Sequence, residues 1–185
     1  VAGYRDAWAE AQEYLHKLER REGERPPGAR AGGKPPKPLD RDFTDETLAG
    51  ALVGDIPVHI HCYRADDMAM MIDVAHEFGY SIAAFHHATE AYKIAPLLAK
   101  EGICAVVWSD WWGFKLEAYD GIRENAAFVD AAGACVVMHS DVASIGQRLN
   151  LETAKAMAAG RRAGVDVPPE RAIRWITSNA AKLLR

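Results

Sequence analysis

Histidine side chains gather at the ends of three short apolar segments of this sequence. Five of the seven histidines fall there: His59, His61, His86, His87 and His139. An aspartate, Asp141, follows the last of them by two residues. Imidazole and carboxylate groups are the usual protein ligands of zinc and similar divalent ions. A catalytic metal site also keeps one position open for water and lowers the pKa of that water. Two histidines and one aspartate from three strand ends would form such a site.

Within the first two segments, spacing selects the candidate ligands. His59 and His61 lie two residues apart and therefore share one face of a strand. Only His61, which is nearer the strand end, is placed to reach a site there, so we expect His59 to pack in the fold. His86 and His87 are adjacent, and we expect one ring to face the centre and the other a helix. Spacing alone leaves open which of the two rings is the ligand.

In the third segment, Asp141 lies on the same face as His139 and further along the chain. A carboxylate beside a metal ion can accept a proton from water and pass it to a leaving amine. The structural alternative for Asp141 is capping of the turn at residues 142–144. For any single histidine, the structural alternative is a hydrogen-bonded packing role, so the prediction depends on the three segments together.

The elements that must position these residues alternate regularly from residue 55 onwards. The predicted strands are 56–62, 81–85, 103–108 and 134–138. The predicted helices are 66–78, 89–99, 116–132, 151–163, 169–175 and 178–184. Brief, almost wholly apolar strands are typical of a parallel sheet covered on both faces, and four βα units indicate an α/β fold.

Two architectures fit this alternation: an open doubly wound sheet, or part of a (β/α)8 barrel. A whole barrel needs about 250 residues, and the chain has 185, so the barrel interpretation requires half of it to be absent. Neither Gly-x-Gly-x-x-Gly nor a P-loop pattern follows the first strand, which removes the best signals of a nucleotide-binding sheet.

The N-terminal part of the chain has a different pattern. Apolar residues at helical spacing predict a helix over residues 4–22, and a proline- and glycine-rich stretch predicts a loop over 23–38. A short helix is predicted over 44–52, with Thr44 or Asp45 as its cap. We therefore divide the chain into residues 1–54, which lead into the barrel, and residues 55–185, a (βα)4 half-barrel with C-terminal helices.

Composition excludes several classes of partner. The formal net charge of −4 gives no basic footprint for nucleic acid, and no apolar run approaches the roughly 20 residues that span a membrane. Cys62, Cys104 and Cys135 each lie in an apolar strand segment. The odd number favours small buried side chains over a disulfide framework, and with it a reducing, cytoplasmic compartment.

Four segments carry a family resemblance. They are residues 61–67 (HCYRADD), 87–93 (HATEAYK), 139–141 (HSD) and 176–184 (ITSNAAKLL). Together they resemble the second half of the amidohydrolase superfamily, in its imidazolonepropionase-like and prolidase-like branches. The resemblance implies a (β/α)8 TIM-type barrel with one or two divalent metal ions at its mouth, of which this chain forms the C-terminal half.

The resemblance also implies roles for single residues. His61 matches the metal ligand of strand five, His87 that of strand six, and Asp141 the ligand and proton shuttle of strand eight. Tyr63 matches a position that in prolidase-like members can touch the substrate carboxylate. Tyr63 and His139 complete the predicted site as substrate-binding residues.

Two features of the family pattern are absent from the chain: the His-x-His of strand one and the strand-four residue that often bridges two metals. We expect Val1 to lie just beyond strand four, and the natural N-terminus to be missing. The segment 103–115 is unusually aromatic, with Trp108, Trp111 and Trp112. It either walls a substrate pocket or packs against the missing half.

The sequence thus predicts a metal-dependent hydrolase that acts on a C–N bond of an amide, cyclic amide or dipeptide-like small molecule through metal-activated water. Its cofactor would be a divalent metal, with zinc favoured, as one or two ions. The alternative is an inactive half-barrel that binds a partner chain, either the missing N-terminal half or a second copy of itself. A third interpretation is an open-sheet binding domain with coincidental histidines.

Overall fold

The computed structural model describes residues 1–23, 41–111 and 113–184. The chain divides into two compact units. The first comprises Val1–Pro57 with Val74–Ser81, and the second comprises Val58–Asp73 with Ile82–Arg185. From residue 24 onwards the predicted loop lies outside the described residues, as does Trp112. The predicted boundary at residue 54 stays a prediction.

The first unit is built on two helices, α1 (Ala2–Gly23) and α2 (Phe43–Leu52). Helix α1 buries Trp8, whose ring stacks on Tyr80 at a centroid distance of 4.2 Å. The stacked pair supplies the apolar contact that a polar helix of this composition needs, because helices gain most of their stability from a packed face. No helix in the described part of the chain is long and apolar enough to cross a membrane.

The cap predicted for α2, Thr44 or Asp45, is wrong: the true cap lies two to three residues earlier in the chain. Asp42 is the N-cap, with an extended backbone, and its carboxylate accepts hydrogen bonds from the backbone N–H groups of Thr44 and Asp45. Those two N–H groups lie in the first turn and have no partner within the helix, so an acceptor placed before it stabilises them. The helix therefore begins at Phe43.

The second unit holds a sheet of four strands: β1 (Val58–Cys62), β2 (Ile82–His87), β3 (Cys104–Val107) and β4 (Val136–Met138). The helices that follow the strands are α3 (Ala65–Phe78), α4 (Ala95–Glu101), α5 (Asn125–Ala131), α6 (Ala143–Gly146), α7 (Leu149–Arg162), α8 (Pro169–Ala172) and α9 (Ser178–Leu184). Short 3-10 turns at Ala91–Lys93, Leu116–Ala118 and Ile173–Ile176 complete the described elements. The α/β prediction, with four parallel strands and flanking helices, is confirmed.

The strand order distinguishes the two predicted architectures. The strands lie in the order β1-β2-β3-β4, and every neighbouring pair is parallel. A doubly wound sheet reverses its strand order at a switch point, and the four described strands contain no reversal. An uninterrupted parallel series is the order of consecutive barrel strands.

Two predicted helices begin later than the sequence suggested. The helix predicted from residue 89 starts as the 3-10 turn Ala91–Lys93 and becomes α4 only at Ala95. The helix predicted over 116–132 is split into a 3-10 turn and α5. Between those two pieces, the backbone carbonyl of Asp120 accepts a hydrogen bond from the Tyr92 hydroxyl. This contact ties the connection to the preceding βα loop.

The expectation of three unpaired cysteines is also wrong. Cys104 and Cys135 form a disulfide, with Cα atoms 4.4 Å apart and a sequence separation of 31. The bond joins β3 to the start of β4, next to a buried cluster that includes Val106 and Leu183. The parallel pairing of β3 and β4 brings the two cysteines together, which spacing alone does not reveal. Cys62 is a free, buried thiol, and the composition argument for a reducing compartment loses its basis.

Candidate metal centre

The pairing of β1 with β2 builds the first part of the site. In this register, His61 lies opposite His86, and Cys62 lies opposite His87. Nδ1 of His59 lies 2.9 Å from Nε2 of His86, and Nδ1 of His61 lies 2.8 Å from Nε2 of His87. At these distances one ring nitrogen of each pair donates a proton and the other accepts it. Four imidazoles thus meet at the carboxyl ends of two neighbouring strands.

Both histidines at the end of β2 turn towards this group, so the expectation that one of them faces a helix is wrong. His86 stacks on His61 at 5.2 Å between ring centroids, and His87 lies 4.8 Å from the same ring. In a regular strand, successive side chains point to opposite faces. His87, however, has a φ of 70°. This left-handed backbone interrupts the alternation and brings the second ring to the same side.

Buried polar side chains hold the backbone in this uncommon conformation. Ala88, which also has a positive φ of 38°, donates its N–H to the carbonyl of Cys62, and its own carbonyl accepts from Asn125 Nδ2 at 2.9 Å. The buried carboxylate of Glu90 accepts from the N–H of Ala65 at 2.9 Å. Positive φ in residues other than glycine persists where the surroundings enforce it, and such residues cluster at functional sites.

A group of three side chains offers ligand atoms for a metal ion. One atom each from His87, His139 and Asp141 lie within 4.8 Å of one another. Nδ1 of His87 is 3.6 Å from Asp141 Oδ2, and Nδ1 of His139 is 3.7 Å from Asp141 Oδ1. The buried Nδ1 of His87 has no hydrogen-bond partner among the described residues. An unsatisfied buried nitrogen that faces a carboxylate is the arrangement expected where an ion or a water lies between the two groups.

The donor set and its spacing fit a divalent ion. Two imidazoles and a carboxylate are a common zinc ligand set, and tetrahedral coordination at the usual bond lengths sets ligand atoms about 3.4 Å apart. Nδ1 of His87 lies 3.6 Å from one oxygen of Asp141, and Nδ1 of His139 lies 3.7 Å from the other; both distances are close to that value. Both are too long for direct hydrogen bonds.

Burial keeps the imidazoles in the form that binds metals. Burial in the fold is the main cause that lowers the pKa of His139 to about 4, against the opposing effect of the nearby Asp141 carboxylate. The pKa of His86 is lowered to about 4 as well, by burial and then by the neighbouring histidines. Burial also lowers the pKa of His87. Neutral imidazole is the ligand form, because protonation occupies the nitrogen lone pair.

The predicted site residues all lie near this group. Asp141 does not cap α6, whose N-cap is Val142; its half-exposed carboxylate faces His87 and His139 instead. His61 lies outside the three and reaches them through its hydrogen bond to His87. Tyr63 stacks on His87 at a centroid distance of 4.8 Å.

The structure places one predicted residue among the candidate ligands and adds one residue that the sequence interpretation missed. His139, predicted to contact substrate, is one of the three side chains that could hold an ion. Lys115, which the sequence analysis did not select, places its Nζ 3.8 Å from the centre of the Tyr63 ring. Its position in an irregular segment after β3 gave no periodic signal that could have identified it.

Comparisons with known proteins find two amidohydrolases that resemble the chain. No protein-family model matches the chain. The amidohydrolase tasK of Hapsidospora irregularis is 31% identical over 127 residues, which cover 66% of this chain and 13% of that protein. The crystal structure of an amidohydrolase from Thermotoga maritima MSB8 superposes with a TM-score of 0.78 and 29% identity, over 99% of this chain and 44% of that one. The chain therefore spans less than half of either relative, as expected for half of a barrel.

Proposed function

Because the chain belongs to the amidohydrolase superfamily, we propose that it forms part of a metal-dependent hydrolase. The substrate would be an amide, a cyclic amide or a dipeptide-like molecule, cleaved at a C–N bond. The observation that carries this proposal is the convergence of His87, His139 and Asp141 within 4.8 Å. They lie at the carboxyl ends of parallel strands, where α/β barrels carry their active sites.

In this proposal His87, His139 and Asp141 hold the ion. His61, which the family resemblance implies as a ligand, meets this set through its Nδ1, which lies 2.8 Å from Nε2 of His87. The position of His139 favours a ligand role over the substrate contact predicted from sequence. Zinc is the favoured metal, as one or two ions, since imidazole and carboxylate suit it. Such an ion lowers the pKa of water and polarises a carbonyl group.

Asp141 moves the proton. Its side chain is 51% exposed. The carboxylate can therefore contact both the attacking water and the leaving amine of a substrate that enters from solvent. It accepts the proton of the water and delivers it to the amine nitrogen as the C–N bond breaks, which is general acid–base catalysis. Tyr63, stacked on His87, is placed to contact the substrate beside the ligands.

The test is hydrolysis by the protein that carries this chain, loaded with zinc and compared with a chelator-treated sample. Release of amine from a panel of N-acyl amino acids, dipeptides and cyclic amides should appear only in the loaded sample. The chain spans 44% of the structural relative, so the isolated chain is assayed in parallel. Equal activity with and without metal would contradict the metal dependence.

A second function follows from the sheet itself. Within the described chain, β1 and β4 each pair with a single neighbour, β2 and β3 respectively. Unpaired strand edges invite pairing with another chain. The alternative is therefore a half-barrel that binds a partner, either a complementary half or a second copy. Sedimentation analysis at micromolar concentration tests this: a stable monomer counts against self-association, and a dimer supports it.

A further inference from the structure

An aromatic wall adjoins the candidate metal centre. Trp108 follows β3, and its ring stacks on His139 with a centroid distance of 5.4 Å and an interplanar angle of 16°. Trp111 stacks on Trp108 at 5.4 Å, and Phe114 meets Trp108 edge-on at 5.7 Å. The three rings thus run from the buried imidazoles towards solvent, and Phe114 is 57% exposed. We call Trp108, Trp111 and Phe114 the aromatic wall.

The wall carries an unsatisfied hydrogen-bond donor. Trp108 is buried, and its Nε1 has no hydrogen-bond partner in the described part of the chain. A buried indole N–H normally finds an acceptor, because an unpaired buried donor has lost its hydrogen bond to water without a replacement. Trp108 also lines a small cleft together with His87, Thr89 and Trp111. An acceptor oxygen of a bound molecule would satisfy this donor.

A cation lies beside the wall, since Nζ of Lys115 is 5.7 Å from the centre of the Phe114 ring. Nζ of Lys115 lies 3.8 Å from the centre of the Tyr63 ring, and Tyr63 in turn stacks on His87. The nearest carboxylate partner of Lys115 in the described chain is Glu117, at 3.9 Å. Its positive charge is therefore only weakly compensated, and it is held beside the ring that covers the metal ligands. A negatively charged group bound there would gain a partner.

Exposed apolar side chains continue on the same segment. Leu116 and Tyr119 are 85% and 72% exposed. Single exposed apolar residues are ordinary, but a run of them next to a polar cleft is typical of a ligand-binding rim. Flat rings with polar neighbours favour planar groups, because stacked or edge-on aromatic pairs are stabilised beyond simple burial.

We propose that the aromatic wall, together with Lys115, selects substrates that carry a planar aromatic group and a negative charge. The aromatic group lies against Trp111 and Phe114, an acceptor oxygen meets the indole N–H of Trp108, and the negative charge pairs with Lys115. This inference rests on the proposed function, because His87 and Asp141 define where the scissile bond would lie.

The test is a titration followed by NMR with three probes: benzoate, cyclohexanecarboxylate and benzamide. The protein is kept metal-free by chelator, so that no carboxylate binds through an ion. Benzoate should bind about three- to tenfold more tightly than cyclohexanecarboxylate, which has the charge but no flat ring. Benzoate should also bind at least about threefold more tightly than benzamide, which has the ring but no charge.

Two variants separate the contributions. Trp111→Leu should remove the preference for benzoate over cyclohexanecarboxylate, and Lys115→Gln should remove the preference for benzoate over benzamide. Lys182→Gln, on the exposed side of α9, is the matched control and should change neither. The amide spectrum of each variant reports whether it is folded.

Equal binding of benzoate and cyclohexanecarboxylate, or preferences that persist in Trp111→Leu and Lys115→Gln, would overturn the inference. The titration involves neither metal nor turnover, so it fails separately from the hydrolase proposal. If the protein hydrolyses amides but lacks these preferences, only the inference about the aromatic wall and Lys115 is contradicted. If it has the preferences but hydrolyses no amide, only the hydrolase proposal is contradicted.

Discussion

His87 contacts a partner through one ring nitrogen and faces a carboxylate with the other. Its Nε2 lies 2.8 Å from Nδ1 of His61, although 26 residues separate the two along the chain. Its Nδ1 lies 3.6 Å from Asp141 Oδ2. The end of β2 therefore joins the end of β1 to the segment after β4, and His87 is the residue on which the geometry of the site depends.

The substitution Asp141→Asn tests the proposed proton transfer. It should lower kcat by about 100-fold or more, the usual contribution of a general acid–base group, because the amide accepts no proton at neutral pH. The side chain is half-exposed, so the melting temperature should change little. Steady-state amine release and thermal denaturation measure the two effects.

Asp166→Asn is the matched control for that experiment, since its carboxylate is 81% exposed and lies 3.6 Å from Arg161, at the end of α7. It should keep full activity. If Asp141→Asn retained most of the wild-type kcat, Asp141 would have no part in proton transfer.

A second pair of variants tests which histidines hold the ion. His139→Gln should weaken zinc binding at least about tenfold, because even residues that only orient a ligand contribute that much. His59→Gln should leave the affinity unchanged, since the ring of His59 meets His86 rather than the ligand group. Competition with a fluorescent zinc chelator gives both affinities. Equal losses of zinc affinity in the two variants would contradict the assignment of His139, rather than His59, to the ligand group.

Much of the fold was predictable because its signals are local. Brief apolar strands separated by helical periodicity identified the four strands and their parallel arrangement. The same reasoning placed His61, His87 and Asp141 at strand ends. Parallel strands bring their carboxyl ends to one edge, so the residues that follow them converge whatever the details of packing.

The features that the sequence did not predict depend on contacts between distant segments. The left-handed backbone of His87 is held by Asn125, whose amide bonds to two backbone groups of the loop after β2. The disulfide between Cys104 and Cys135 follows from the register of two strands. Neither relationship leaves a periodic or compositional trace.

The role of Asn125 can be measured directly. Its side chain is buried, accepts a hydrogen bond from the N–H of Tyr92 and donates one to the carbonyl of Ala88. Asn125→Ala leaves both groups unpaired and should lower the free energy of unfolding by about 1–3 kcal/mol. It should also weaken zinc binding, because the backbone that positions His87 loses its support.

Urea denaturation and zinc competition check these two effects, with Asn150→Ala as control because Asn150 is exposed in α7. A variant as stable as the wild type, with unchanged zinc affinity, would show that the loop holds its conformation without Asn125.

The disulfide makes a separate prediction about stability. Reduction of the Cys104–Cys135 bond should lower the free energy of unfolding by about 2–4 kcal/mol, the range expected when a cross-link restricts the unfolded chain. Urea denaturation with and without a phosphine reductant measures the difference. Cys62→Ala should show the same difference, because Cys62 is not in the bond. Three reactive thiols in the denatured, unreduced protein would contradict the pairing.

The central claim is that His87, His139 and Asp141 hold a divalent ion, and elemental mass spectrometry of the purified chain tests it most directly. The protein is incubated with zinc, desalted and analysed for metal per chain. The predicted result is near-stoichiometric zinc in the wild type, with most of it lost in His139→Gln. A wild-type chain that emerges free of metal would contradict the claim.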